Sequence, residues 1–345
     1  MIEAVGALHI HSHCSDGSGT VSEIVQAASD AGLDFLAITD HNTLCARRDG
    51  WEGWHGNVLV AVGAEISPKR GGHVLALNVH SVEGLVDLPE REFVSRIRKQ
   101  NGYAFVAHPG GSRNLRVGVM LREWQEWHLE DFQGIEIWSF MHDWVDAFKW
   151  LRVFEFHRDP YSKVSGPSPV VLEIWDRLLK ERKVVAICGI DAHAKNLLTR
   201  KWQFLPYKMT FNTTLLHVFV PEWSGDETLD LPRLYEAIVE GRSFVAYDYE
   251  HSARGFSFTA EADGKVYQMG QEVFPQQGSC VLSVSVPDAA KLTLKKDGLI
   301  LEQAQAETLQ TVVSEKGVYR VEVFRNGRPW IFSNPIFVRT APPLG

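Results

Sequence analysis

Ala4-Val5-Gly6-Ala7-Leu8-His9-Ile10-His11 opens the chain with an apolar run that ends in two imidazoles, and Phe35-Leu36-Ala37-Ile38-Thr39-Asp40-His41 repeats that design further on. The first run reads as a buried strand from Ala4 to Ile10. Side chains two apart on a strand share a face, so His9 and His11 are expected on the same side of its carboxyl end. Two imidazoles held that way can share one metal ion. Backbone carbonyls can also satisfy a buried His pair, but here Asp16 follows in the turn Ser15-Asp16-Gly17, and His41 ends the second strand beside Asp40. Between the strands, Thr20 and Glu23 have the spacing of a capping box. The helix they would start carries Ile24, Val25, Ala28 and Ala31 at helical spacing and can end at Gly32. The unit is strand, helix, strand, with candidate ligands at both carboxyl ends.

The arrangement recurs. Val58 to Val62 leads to Glu65, His73 opens Val74 to Val79, Tyr103 to Ala107 ends in His108-Pro109-Gly110, Gly134 to Ile137 contains Glu136, and Val184 to Ile190 ends in Asp191-Ala192-His193. Successive strands that deliver polar groups to one rim predict an α/β barrel, closed or nearly so, with its active site on that rim.

The series His-x-His, Ser-Asp-Gly, Thr-Asp-His-Asn, Glu, Gly-His, Ala-His-Pro-Gly and Asp-Ala-His resembles the PHP (polymerase and histidinol phosphatase) superfamily of metal-dependent hydrolases, over about residues 5 to 247 and in matching order. Gly-His-Val-Leu-Ala-Leu at 72 to 77, Gly-Arg-Ser-Phe-Val-Ala at 241 to 246 and Ser-Asn-Pro-Ile at 333 to 336 are similar to the carbaryl-hydrolase-like branch with a C-terminal β extension. The resemblance implies a distorted (β/α)7 TIM-like PHP barrel over residues 1–249 and a metal-dependent phosphoesterase activity. It also implies a ligand set: His9, His11, Glu65 and Asp191 for a first ion, Glu65 bridging to a second held by His73 and His108, and Asp16, His41 and His193 for a third. Asp16 stands where some relatives have His, which makes the third group the one that departs from the pattern. Imidazole with carboxylate suits Zn, Mn or Fe and disfavours Ca, without choosing among the three. Asp40 reads either as orienting a ligating His through its other ring nitrogen or as a helix N-cap.

Two or three divalent ions that close together lower the pKa of a bridging water and clamp the attacking and leaving oxygens of an in-line displacement. Phosphate ester hydrolysis also needs positive groups for the non-bridging oxygens. Although the net charge is -8, Lys69 and Arg70 follow Glu65, Arg113 and Arg116 follow His108, and Lys195, Arg200 and Lys201 follow His193. Arg113 and Lys195 are the expected phosphate contacts. With Glu65 and Asp191 they make up the expected catalytic set, and a small-molecule anionic substrate is the expected partner. Two other readings use the same residues: attack on a carboxylic or carbamic ester or amide, and a non-catalytic metal-binding scaffold, against which the intact ligand set speaks.

At 345 residues, 45% hydrophobic and 23% charged, the chain can bury a large core and has the length of two domains. No apolar run approaches the roughly 20 residues that cross a bilayer, and the start lacks a cationic segment before an apolar one. The expectation is a cytoplasmic protein with no membrane partner. The acidic balance argues against extended nucleic acid. Cys14, Cys45, Cys188 and Cys280 are far apart with no Cys-x-x-Cys, so neither a disulfide framework nor a thiolate zinc site is expected.

From about Phe256, apolar and polar residues alternate, with Asp297-Gly298 and Asn326-Gly327 punctuating the runs like tight hairpin turns. Residues 250–345 therefore read as a small antiparallel β-sandwich without a ligand cluster, left for packing, contact between copies in a homo-oligomer, or shaping of the cleft. The aromatic stretch Trp138 to Tyr161 reads as core, with a substrate-covering wall or subunit interface as the second reading. His142, Asp143 and His157 within it are candidates for a general acid.

Overall fold

A computed structural model describes residues 1–114, 119–147, 161, 164–196 and 203–340, with side chains 112–114 and 119–121 left aside. Its N-terminal strands are β1 (Ile2–Ile10), β2 (Phe35–Ile38), β3 (Gly53–His55), β4 (Val58–Val62), β5 (Ala64–Ile66), β6 (Val74–Leu77), β7 (Tyr103–Val106), β8 (Ser112–Asn114), β9 (Val119–Leu121), β10 (Gly134–Ser139), β11 (Val185–Gly189), β12 (Thr214–Val220) and β13 (Ser243–Tyr247). The helices are α1 (Val21–Asp30), α2 (Cys45–Arg48), α3 (Glu90–Lys99), α4 (Phe140–Ala147), α5 (Pro169–Glu181), α6 (Tyr207–Thr210) and α7 (Glu227–Val239). The α1 start is as its residues predict: Glu23 N donates to Thr20 Oγ1 at 3.2 Å and Thr20 N to Glu23 Oε2 at 2.8 Å, and Gly32 adopts φ 72° past its end.

The strands do not close into the expected ring. Among the described residues they form one sheet in the order β3-β4-β2-β1-β12-β13 and a second in the order β11-β10-β7-β6-β5, with β8 and β9 paired only to each other. The two touch at single bridges, Ile10 with Ala192 and His41 with Glu65. Pairing is parallel in β1/β2, β2/β4, β7/β10 and β10/β11 but antiparallel in β5/β6 and β6/β7. For β5 and β6 the reason is local: no helix separates them, and short links allow only antiparallel neighbours, whereas β6 and β7 run antiparallel although α3 lies between them. The chain passes from one sheet to the other at Gly63, where a Cβ would lie 2.4 Å from Ala76 O.

Beyond residue 250 lie β14 (Ser257–Ala262), β15 (Lys265–Gln268), β16 (Glu272–Val273), β17 (Cys280–Lys296), β18 (Leu299–Val313), β19 (Gly317–Arg325), β20 (Arg328–Ser333) and β21 (Ile336–Val338). Asp297-Gly298 joins β17 to β18 with φ 52° and 85°, and Asn326-Gly327 joins β19 to β20 with φ 52° and 77°, the positive values such two-residue hairpins require. β20 pairs with β13, so the large sheet continues into these strands. They surround a core of their own that includes Phe258, Leu282, Leu292, Val321 and Ile331. Arg320, 1% exposed, ties this core to α5 through Asp176 at 2.6 and 2.7 Å.

His217 on β12 is buried between Glu3 (Nδ1 to Oε1, 2.7 Å) and Asp248 (Nε2 to Oδ2, 3.2 Å). Burial alone would lower its pKa, but the two carboxylates raise it above the ordinary value. A raised folded pKa gives stability that is complete below about 6.5, the unfolded value, and is lost as pH rises through the folded one. The melting-temperature advantage of the wild type over His217→Gln is therefore expected to shrink between pH 6 and pH 9. An advantage that is constant across that range contradicts the charged pairing.

Candidate metal centre

Glu65 on β5 sits at the middle of the cluster and is 1% exposed. Its Oε2 lies 3.3 Å from His9 Nε2, 3.3 Å from His11 Nε2 and 3.0 Å from His41 Nδ1. Its Oε1 lies 2.8 Å from His73 Nδ1 and 3.0 Å from His108 Nε2. Asp191, just past β11, mirrors it. Oδ1 is 3.5 Å from His9 Nε2, 3.2 Å from His11 Nε2 and 3.5 Å from His193 Nδ1, and Oδ2 is 3.1 Å from His142 Nε2.

Four donor groups result, each with its atoms within 4.8 Å of one another: His11, Asp16, His41 and His193; His9, His11 and Asp191; His9, Glu65 and His108; and His108, His142 and Asp191. Eight of the nine residues expected to bind metal fall in these groups, and the ninth, His73, lies against Glu65. The distribution differs from the expectation: Glu65 groups with His9 and His108 and not with His11 and Asp191, and His11 joins Asp16, His41 and His193. His73 contacts Glu65 but belongs to none of these groups, whereas His142 on α4 stacks on His108 with ring centroids 4.3 Å apart.

The convergence is not simple strand alternation. His9, His108 and Asp191 have φ of 62°, 29° and 57°, a region that costs a non-glycine residue about 1–3 kcal/mol. The pairing of β1 with β2 shifts register between Ala7 and Ile10. Glu136 holds two of these residues in place: Oε1 is 3.0 Å from His9 Nδ1, and Oε2 accepts from His108 N at 2.5 Å. A carboxylate behind a ligating imidazole fixes its ring orientation and tautomer. Glu136→Gln is therefore expected to weaken metal binding about 10- to 100-fold in competition with a chromophoric chelator. Unchanged affinity would remove Glu136 from this role.

The loops are pinned separately. Asp40 accepts from Ser12 N (2.7 Å), Ser12 Oγ (2.7 Å) and Ser15 Oγ (2.6 Å). It braces the turn that carries Asp16 rather than a His or a helix start. His41 Nδ1 lies 2.7 Å from Ser67 Oγ, and Tyr207 donates its hydroxyl to His11 O at 2.6 Å. Ser67 and Tyr207 carry no motif that would have marked them. Lys195 Nζ, about half exposed, sits on Asp16 Oδ2 at 2.8 Å. Arg113 lies on β8 with its side chain outside the described residues, and Arg116, Arg200, Lys201 and His157 also fall outside them.

Cys14 and Cys45 form a disulfide, with Cα atoms 5.8 Å apart, contrary to the expectation of separate thiols. Their distance along the chain hid their nearness in space: β1 and β2 are parallel neighbours, so the loops after them lie side by side. Cys188 and Cys280 are free and buried.

Burial alone would raise the pKa of Glu65, but the charge of His9 and contacts from His108, His11 and His41 hold it well below the ordinary carboxylate range. Asp191 is lowered against burial by His9 and His193, and Asp16 against burial by His193 and Lys195. His9 is raised against burial by Glu136, Asp191 and Glu65. His108 goes the other way, down to about 4, through burial and the neighbouring His142. His9 Nε2, both ring nitrogens of His11, His108 Nδ1 and His142 Nδ1 are buried without a hydrogen-bond partner. Buried polar atoms are normally partnered, and divalent cations are partners that this imidazole and carboxylate set fits.

Residues 7–107 match the family model of the PHP domain. The match takes in under a third of the chain. It runs from within β1 through β7 and includes His9, His11, Asp16, His41, Glu65 and His73. Phosphoribosyl 1,2-cyclic phosphate 1,2-diphosphodiesterase of Eggerthella lenta is 37% identical over 78 residues, 21% of this chain and 30% of that protein. The chain thus spans under a third of the length of the curated relative it matches. A two-domain protein from Bacteroides vulgatus containing a predicted PHP-like metal-dependent phosphoesterase is similar at 16% identity and a TM-score of 0.46, over 97% of this chain and 95% of that one. An amidohydrolase from Chromobacterium violaceum with bound sulfate is similar at 18% identity and a TM-score of 0.34, over 55% and 87%.

Proposed function

We propose that this chain is a metal-dependent phosphoesterase acting on a small phosphorylated metabolite or nucleotide, with two or three divalent ions of Zn, Mn or Fe. The observation that carries the reading is the convergence of His9, His11, Asp16, His41, Glu65, His108, His142, Asp191 and His193 into overlapping donor groups. The PHP match and the similarity to a cyclic-phosphate diphosphodiesterase support phosphate over other esters. When bound, the ions supply a water of lowered pKa and a clamp on the attacking and leaving oxygens. The chain's residues do the rest. Glu65 and Asp191 hold the imidazoles at fixed spacing, Glu136 aligns His9, and Lys195 and Arg113 are assigned to the anionic substrate from the rim.

Beside His108 and His142 opens a cavity of about 970 Å³, walled by β10, α4, α5 and residues of β17, β19 and β20. It is the natural place for the non-phosphate part of a substrate. Phe324, Pro329 and Phe332 line it, so a division of labour at about residue 250 gives the second part of the chain the shaping of the cleft. Asp143 also lines it. Burial pushes its carboxyl up to about 6 against hydrogen bonds from Ser165, Gly166 and Trp138; those donors make it a brace for the cavity wall. The aromatic and proline content of this cavity favours a second reading, hydrolysis of a carboxylic or carbamic ester or amide by the same centre.

The two readings separate on a panel of p-nitrophenyl phosphate, its diester and p-nitrophenyl acetate, assayed with elemental analysis and with chelator. The proposal expects phosphate hydrolysis that chelation abolishes and added Mn, Zn or Fe restores. Preference for the acetate overturns it in favour of the second reading, and a fully metal-loaded chain that turns over none of the three is a scaffold.

A further inference from the structure

Two of the loops that deliver donors are joined covalently. Cys14 lies between His11 and Asp16, and Cys45 starts α2 just beyond His41. Asp16 and His41 both belong to the group completed by His11 and His193. This group depends most on loop geometry: the Asp16 and His41 side chains are 45% and 28% exposed, against 1% for Glu65 and 9% for Asp191. Two devices keep the two loops in register. One is the set of hydrogen bonds from Ser12 and Ser15 to Asp40, and the other is the disulfide. Both cysteines are partly exposed, so a soluble thiol can reach them, and Asp49 Oδ2 lies 3.6 Å from Cys45 Sγ as an acceptor for the thiol that reduction creates.

We propose that the Cys14–Cys45 disulfide is a reversible redox clamp on the Asp16 and His41 side of the metal centre. A dithiol reductant supplies two electrons and two protons. The Sγ–Sγ bond breaks, Cys14 and Cys45 become thiols, and the reductant leaves as its own disulfide; a disulfide oxidant reverses the step. Reduction leaves the Asp40 hydrogen bonds in place, so the loops loosen without unfolding and the ion held by His11, Asp16, His41 and His193 is released first. The clamp rests on the metal-binding part of the proposed function and not on the identity of the substrate.

The test is metal retention. Wild type purified without reductant is loaded with Mn²⁺, desalted and analysed for metal per chain before and after treatment with a phosphine reductant, alongside Cys14→Ser/Cys45→Ser. Thiols are counted by alkylation after denaturation. The expected result is two reactive thiols without reductant and four with it. Affinity for one ion per chain should fall about ten-fold, the scale of lost support behind a ligand, in both the reduced wild type and the untreated double variant. Reoxidation should restore the wild type alone, and reductant should not change the variant, which excludes chelation by the reductant. Four thiols before reduction, or equal metal retention by the oxidised and reduced chains, overturns the clamp while leaving the proposed function standing. A chain that holds no metal in either form overturns both.

Discussion

Glu65→Gln is expected to lose metal and activity together, with hydrolysis falling on the order of 10³-fold, the upper range for removing one preorganised electrostatic contact. Both carboxylate oxygens are engaged, Oε2 by His9, His11 and His41 and Oε1 by His73 and His108. An amide keeps the shape but replaces one acceptor with an NH2 that can neither ligate a cation nor accept from an imidazole. The loss extends to the ion-free chain, because removing one partner of a buried charged cluster costs roughly 3–5 kcal/mol. Elemental analysis, initial rates and thermal melting measure the three effects. Full metal content with a wild-type rate would end the assignment of Glu65 as the bridge.

Gly189→Ala is expected to act almost as strongly from a residue that touches no donor group as a ligand. A Cβ at Gly189 would lie 1.6 Å from Glu136 Oε1 and 2.7 Å from His9 Cβ. Both neighbours are buried and held against each other at 3.0 Å. Overpacking of this kind costs about 1–3 kcal/mol. Because the displaced groups are His9 and its carboxylate brace, the loss of metal affinity should reach about 100-fold. A variant with normal melting and normal metal content would show that β11 can retreat and that the Glu136 brace is dispensable.

The site was far more legible than the fold around it. Ligand-bearing residues announce themselves by type and by position after an apolar run, and His9, His11, His41, Glu65, His108, Asp191 and His193 were placed by that signal. What closes the site was silent. Glu136 was visible as a metal-capable residue, but its role behind His9 depends on β10 and β11 being parallel neighbours. His142 stands in an aromatic segment whose spacing does not force it toward Asp191, so the sequence marks it as a candidate general acid and not as a ligand. The closed barrel failed at β5 to β7, where the pattern of buried strands is the same for parallel and antiparallel pairing: the short link excludes a parallel β5/β6 pair, but nothing local marks β6 and β7 as antiparallel across α3. The disulfide was missed because contact between loops after neighbouring parallel strands leaves no trace in cysteine spacing. In the C-terminal strands, Asp297-Gly298 and Asn326-Gly327 marked their hairpins correctly because the turn itself demands positive φ, whereas the pairing of β20 with β13 is a long-range contact with no local signature.

Anomalous diffraction from a crystal of the Mn²⁺-loaded protein tests the metal centre most directly. Two or three peaks are predicted, about 2.0–2.3 Å from imidazole nitrogens and carboxylate oxygens of the donor set, with Glu65 and Asp191 each touching more than one ion. A map with no peak within coordination distance of His9, His11, Glu65, His108 or Asp191 would contradict it.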